Sequence, residues 1–455
     1  MSIFDSIYDN IAYRIANILT SRGESVLKAR SYREGKQPAQ LKVNTAKGQF
    51  DDNLVVNFTG LVEDRTISQM FGTGIKLDFE GDDKIKSPQE EYIEKLLKAN
   101  SWQKLLHNAK QYAGDAGTGF FKLKENGVVG EDGLEYTRII PVDPAFVTIE
   151  TDKEDVDIVT KYVIKYVVMD ENDKSVIKKQ EIARTGTGWT VTMSESKNDG
   201  KSYVIIEDPE SFSYCPMIHW QNLPYPGTQE GEPDIKATDR QLQNRLNFVI
   251  SNASKIIRRY AHPKSYLIGG SISKNTEGVI DDSPDAMIMI SGDDKTKFGQ
   301  IEPLGDLDAV MDFIKFLKQC YFDITRTVDI DSLEDKLGDL TNFALRVIYQ
   351  DNESKINTMR LMMGEAIVQL VMRCQMIAGM QPLSCEVVWP EFIPVNPTEQ
   401  TQTLVEQKAA GFVDNETAIL ELGRDPQAVK ERLEAEKANS QALGGDMIRQ
   451  FLAGK

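Results

Sequence analysis

The sequence predicts an α+β chain with more than one structural region. Short strand-like runs follow one another through residues 120–207. Two long helical stripes, over 234–260 and 305–325, bracket a small β-rich insert, and a third long helix runs from Phe343 to Ala378. At 455 residues the chain exceeds what one hydrophobic core usually serves. Hydrophobic residues at 40% and charged residues at 27% give the balance of a globular protein, not of a disordered, collagenous or membrane chain.

The elements follow in order. Ile3, Ile7, Ile11, Ile15 and Ile18 recur at helical spacing, predicting one helix to about residue 30, and the polar run Arg30 to Asp52 predicts an extended arm. Asp5, Asp9 and Arg14 make this first segment amphipathic and unlike a signal-peptide core, so no export is expected. A helix, a turn at Gly72-Thr-Gly74 and a strand at 75–79 come next. Ser87-Pro88-Gln89-Glu90 is a helix start: serine as N-cap, proline at the first helical position, glutamate three residues after the cap. That helix runs to about Asn100, and another from Ser101-Trp102 to Gly114. Strands are expected at 120–125, 136–142, 146–150, 159–169, 177–184, 189–193 and 203–207.

After a proline-rich passage, Pro216 to Pro233, the pattern turns helical. Leu242, Leu246, Val249, Ile250, Ala253, Ile256, Ile257 and Tyr260 form one apolar stripe. His262-Pro263 ends it, and the insert reads as three strands at 265–270, 286–291 and 300–304. The next helix carries Leu307, Val310, Met311, Ile314, Leu317, Cys320, Tyr321 and Ile324 on one face. Arg326 to Asn342, rich in Asp, Leu and Gly, reads as a loop. Beyond the third long helix, Pro382, Pro390, Pro394 and Pro397 mark an extended passage with a strand. The tail from Glu399 is mostly helical, broken near Gly411 and Gly423. The stretch Leu361 to Met380 is interrupted by Glu365 and Arg373 and falls short of a membrane span.

A search for chemistry finds no catalytic constellation, cofactor motif or metal motif. Gly200-Lys201-Ser202 lacks the earlier glycine of a phosphate-binding loop, and Gly72-Thr-Gly74 and Gly117-Thr-Gly119 lack the third glycine of a dinucleotide fingerprint, so both read as turns. His107, His219 and His262 are too far apart to present paired ligands. Cys215, Cys320, Cys374 and Cys385 form no C-x-x-C pair and read as reduced thiols of a cytosolic chain. The acidic run Asp329 to Asp339 lacks the ligand spacing of a calcium loop. No G-x-S-x-G turn occurs.

With 70 acidic against 53 basic side chains the formal net charge is −17, which argues against a phosphate-gripping groove. An acidic surface suits a passage along which nucleic acid slides, because it offers no counterion-release gain for adhesion.

Particular segments narrow the reading. Asp239-Arg-Gln-Leu-Gln-Asn-Arg-Leu-Asn247 runs to Ala261-His-Pro-Lys-Ser-Tyr-Leu-Ile-Gly-Gly270. Leu340-Thr-Asn-Phe-Ala-Leu-Arg346 follows, then Gly411-Phe-Val-Asp-Asn-Glu-Thr-Ala418 with Leu422-Gly-Arg-Asp425. In their order and spacing the chain resembles the portal proteins of long-tailed bacteriophages, over most of its length. Many relatives have Ser-Gly before the Ala-Leu-Arg motif, where this chain has Thr341-Asn342.

The resemblance implies a portal fold that closes into a ring, usually of twelve subunits. Carried over by position, it implies a wing at 1–232, stem helices at 233–262 and 305–325, a clip at 263–304, a tunnel loop at 326–341, a long wing helix and strand passage at 342–397, and a crown at 398–455. The implied function is non-enzymatic: a channel at one capsid vertex for packaging and ejecting double-stranded DNA, in the virion and, during assembly, in the host cytoplasm. The implied partners are further copies of the chain, DNA bound without sequence preference, the large terminase motor, the head–tail connector, and the major capsid and scaffolding proteins, with no membrane and no cofactor. Asp335, Lys336, Asp339 and Asn342 are the expected channel residues of the loop. Leu246, Ile250, Ile257, Leu307, Ile314 and Leu317 are the expected packing residues of the stem, and the connector contacts fall somewhere within 263–304. The alternatives are another head or connector component, or a DNA-processing enzyme without a recognisable motif.

Overall fold

The computed structural model describes residues 3–43, 50–79, 86–169, 174–196, 198–261, 265–272, 290–300, 307–331, 342–392, 397–422, 426–430 and 432–433. The chain divides into two compact units, residues 1–390 and 391–455.

The first unit begins with two helices, not one: α1 (Ile3–Ile18) and α2 (Ser21–Arg33). The break has a local cause, since the Thr20 hydroxyl accepts from the Gly23 N–H and caps a new helix. An extended arm leads to α3 (Phe58–Phe71) and β1 (Lys76–Phe79). The predicted cap of α4 (Pro88–Ala99) is present: Ser87 Oγ accepts from Glu90 N at 3.2 Å, with Pro88 as the first helical residue. α5 (Trp102–Ala116) runs two residues further than expected and stops at Gly117, whose φ of 80° is the left-handed conformation glycine adopts freely. Gly119, the other glycine of that G-x-G fragment, lies under Trp220, where a Cβ would overlap the indole. The fragment terminates a helix and admits a ring.

Most of the strands form two sheets. β2 (Thr118–Val129) lies between β3 (Glu135–Pro141) and β10 (Met217–Gln221). β4 (Val147–Thr151), β5 (Val159–Met169), β6 (Ser175–Thr185), β7 (Gly188–Ser196) and β8 (Val204–Ile205) form an antiparallel meander, with β9 (Glu210–Phe212) also pairing with β7. Phe120, Tyr162, Ile164, Ile182, Cys215 and Met217 build the core between them. β10 lies inside the proline-rich passage that the sequence reading left without a strand.

Three long helices complete this unit. α6 (Ala237–Ala261) leads to an antiparallel hairpin of β11 (Ser265–Ile272) and β12 (Ile290–Gln300), and α7 (Leu307–Ile324) follows. Among the described residues the insert therefore has two strands. Residues 292–299, read as a connection between two short strands, are the body of β12; they are polar, so a sequence reading found no strand pattern there. α8 (Asn342–Ile377) is 36 residues long, and β13 (Cys385–Val388) pairs with β1. Arg373, whose charge interrupts the apolar run of α8, donates to the carbonyls of Cys215 and Met217 at 2.9 and 2.7 Å and so ties α8 to β10.

In the second unit α9 (Pro397–Ala409) ends before Gly411, at φ 79°, and α10 (Asn415–Glu421) is capped by Asp414. Its described residues bury one hydrophobic side chain, Leu404. No helix among the described residues is long and apolar enough to cross a membrane.

Candidate functional site at the junction of the long helices

α6, α7 and α8 meet the α/β body around buried charges. Asp234, three residues before α6, is almost fully enclosed. Its carboxylate accepts from Lys110 Nζ of α5 at 2.8 Å and from Asn222 Nδ2 at 2.8 Å, while its backbone N–H donates to the Gly114 carbonyl at 2.9 Å. Burial works against its charge. The Lys110 and Lys355 charges and these hydrogen bonds outweigh that, holding the Asp234 carboxyl below the usual aspartate value. The start of α6 is thereby tied to α5 by a paired charge.

The end of α7 is fixed from the other side. Lys355 of α8, buried and with its pKa lowered by that burial, donates to the Thr325 carbonyl at 2.8 Å. Asn352 Nδ2 donates to the Arg326 carbonyl at 2.7 Å, and Arg326 Nε to Asp351 Oδ1 at 2.9 Å. The backbone closes as a Schellman turn: Thr327 N–H reaches the Phe322 carbonyl and Arg326 N–H the Asp323 carbonyl. Arg326 takes the left-handed position at φ 54°, where glycine is the usual residue. A cation at the C-terminal carbonyls also meets the negative end of the helix. Beyond the turn, Arg65 of α3 donates to the Val328 carbonyl, and Lys318 pairs with Asp329 and Asp331.

A second acidic group lies next to the first. Arg33 approaches Glu63 at 3.5 Å and Asp115 at 3.3 Å, and Arg30 bridges Asp115 and Asp143. Glu63 is pushed well above the usual glutamate value by burial first, and then by the Asp115 and Asp234 charges. Asp115 is raised too, by burial, although Arg33 and Arg30 pull it down. Four carboxyls, Asp234, Glu63, Asp115 and Asp143, and four cations, Lys110, Lys355, Arg33 and Arg30, thus join α2, α3, α5, the turn before β4, the start of α6 and α8 into one block.

The residues singled out from the sequence fall at varied places. Leu246 and Leu317 are buried, and with Tyr321, Phe322, Val249, Val62 and Ile235 they form the core between α6, α7 and α3; Ile314 packs at its margin. Ile250 is half-buried, and Ile257 is 49% exposed in the single chain. Met311 and Ile324, on the apolar face expected of α7, are exposed in the single chain as well. The Leu307 side chain, and Asp335, Lys336 and Asp339, lie outside the described residues. Asn342, assigned to the loop, is the first residue of α8. Of 263–304, the hairpin strands alone are described.

His219 is spoken for on both nitrogens: Tyr162 donates to Nδ1 at 2.8 Å and Nε2 donates to Gln229 Oε1 at 2.7 Å. His107 stacks near Phe71. Among the described residues no three His, Cys, Asp or Glu side chains gather as a metal site. The junction residues Lys110, Asp234 and Lys355 escaped the sequence reading. A signal existed, because Lys355 falls in phase with the apolar Met359 and Met363, and Lys110 with Leu106 and Ala113.

Residues 14–443 match a family model described as phage portal protein, SPP1 Gp6-like. The chain belongs to this family. By its family the chain is a structural component of a phage particle, and the match spans both units and all three long helices. Among solved structures, the neck of an empty GTA particle is similar to it at 12% identity and a TM-score of 0.44, over 81% of this chain and 89% of that chain, a likeness too slight to bear on function. No curated protein matches.

Proposed function

We propose that this chain is one subunit of a closed ring, of twelve copies in the family's usual form, at a single capsid vertex. Double-stranded DNA enters and leaves through the axial channel. The observation that carries the proposal is the family match along 14–443, combined with the out-and-back path of α6, hairpin and α7 from a fixed junction. In this reading residues 1–232 with 342–397 are the wing, 233–262 and 305–325 the stem, 263–304 the clip, 326–341 the tunnel loop and 398–455 the crown. α6, with 25 residues, spans about 37 Å.

The ring is passive. Energy comes from a separate ATP-driven terminase docked on the clip, which later receives the head–tail connector. A net charge of −17 per subunit gives the channel little phosphate adhesion. Lys336 then supplies one weak contact per subunit, moderated by Asp335 and Asp339. The test is packaging in vitro: procapsids assembled with this chain, given terminase, ATP and DNA, protect that DNA from nuclease. Equal protection by procapsids lacking the chain would overturn the proposal.

A further inference from the structure

The described residues hold two apolar surfaces that the single chain leaves uncovered, on opposite sides of the α6/α7 pair. The first is the outer side of the arm. Residues 50–57 lie along α6 through a polar ladder: Leu54 N–H donates to Ser251 Oγ at 3.0 Å, Val56 N–H to Asn247 Oδ1 at 3.1 Å, and Gln243 Nε2 to the Val56 carbonyl at 2.7 Å. Arg258 pins the arm's start by pairing with Asp52 at 2.6 Å. With its backbone held this way, the arm turns Phe50, Leu54 and Val55 outward, Phe50 being 64% exposed.

The second surface is on α7. Phe313, Phe316, Cys320 and Ile324 recur at spacings of 3, 4 and 4, the rhythm of a helix-packing seam. They sit beside the core-facing residues Val310, Ile314, Leu317 and Tyr321 but outside their shelter, with Phe313 and Phe316 stacked on each other and Phe316 58% exposed. Helix phase relates the two surfaces. α6 spends Leu242, Leu246 and Val249 on α7 and Gln243, Asn247 and Ser251 on the arm. Its remaining side, Gln241, Arg245, Asn252 and Lys255, with Phe248 half-buried among them beneath the Arg245 guanidinium, lies about 120° round from the arm. Early α6 packs on late α7, so the two are antiparallel, and the α7 seam comes up beside this open side of α6.

We infer that the arm of one copy docks on the open α6/α7 face of the next. The reading of the chain as a ring subunit underlies this inference, and it names the two faces that would close the ring. Three observations favour a second copy as occupant. A ring needs two different, complementary faces on each subunit, whereas a two-fold dimer needs one face that matches itself. Both surfaces are apolar at their centres. Their charges are opposite: the arm carries Asp51, exposed, and the open side of α6 carries Arg245 and Lys255.

The test uses the full chain with Cys320→Ala, carrying Leu54→Cys, Phe316→Cys or both, treated with a short bismaleimide and run on a denaturing gel. The inference predicts a ladder of dimers, trimers and higher species from the double variant and none from either single variant. Rings by native mass spectrometry without a ladder would overturn the docking faces and leave the ring reading standing. Dimers from Phe316→Cys alone would mean a two-fold contact and would also overturn it. A chain that stays monomeric without any substitution would overturn the ring reading itself. In a parallel measurement, Phe316→Asp is predicted to give monomers with an unchanged far-ultraviolet circular dichroism spectrum; full-size rings would contradict the inference.

Discussion

Lys110 and Asp234 face each other at 2.8 Å with almost no solvent, and the cost of separating such a pair exceeds its net worth, because the survivor stays buried and charged. Lys110→Met is therefore predicted to destabilise the protein by about 3–5 kcal/mol in denaturant unfolding at pH 7. A loss under about 1 kcal/mol would mean that water reaches Asp234. Asp234 and Glu63 respond to pH in opposite senses. Asp234 is held low, so its contribution is present above the ordinary aspartate value and lost as pH falls through the lowered one. Glu63 is raised, so the folded state holds its proton longer than the unfolded state does, and stability is lost as pH rises from the ordinary glutamate value through the raised one. Glu63→Gln keeps the shape of the neutral form. It is expected to raise the urea midpoint at pH 8 and leave it nearly unchanged at pH 4; a lowered midpoint at pH 8 would contradict the assignment. Beyond the helix phase of Lys110 and Lys355 with buried apolar neighbours, none of this was legible in the sequence, where Lys and Asp read as solvated side chains. Only the tertiary fold brings residues 63, 110, 234 and 355 together.

Elements with a local cause were legible. The Ser87-Pro88 cap, the stripes of α6 and α7 and the apolar strands of the meander carry their own signals, and the structure contains them within a few residues. Elements held by long-range pairing were not. β10 gains its ladder from β2, and among the described residues β12 pairs with β11, through backbone hydrogen bonds that polar residues make as well as apolar ones. In the single chain Val310, Ile314, Leu317 and Tyr321 of the α7 stripe face the core, whereas Met311 and Ile324 are exposed, as are Phe313 and Phe316, which the apolar stripe does not include. At the α7 terminus Arg326 holds a conformation that disfavours side chains by about 1–2 kcal/mol. Its pair with Asp351 is half-exposed and so of small worth. Arg326→Gly should thus be more stable than Arg326→Ala by about 1 kcal/mol in thermal unfolding; equal stabilities would show that the turn opens. If the hairpin serves as the clip, deleting 271–299 is predicted to leave rings intact in native mass spectrometry and to abolish connector binding in a pull-down. Retained binding would move the docking site elsewhere.

At the scale of the whole first unit, one junction of buried charges organises the three long helices. The block of paired charges fixes where α6 starts and where α7 ends, so the α6–hairpin–α7 column is anchored at both feet. Exposed apolar surfaces on the arm, on α7 and in the second unit, where Phe412 is 83% exposed, fit the proposed ring, in which neighbouring copies would cover them. The family was legible in the sequence because ordered motifs survive where single motifs are degenerate. The subunit number and the channel lining were not, since both depend on other copies. The central claim is that this chain builds a ring, and electron microscopy of the purified full-length protein tests it most directly. The account predicts closed, turbine-like particles of uniform size with an axial hole. A uniform population of isolated subunits, or of open filaments, at the same concentration would contradict it.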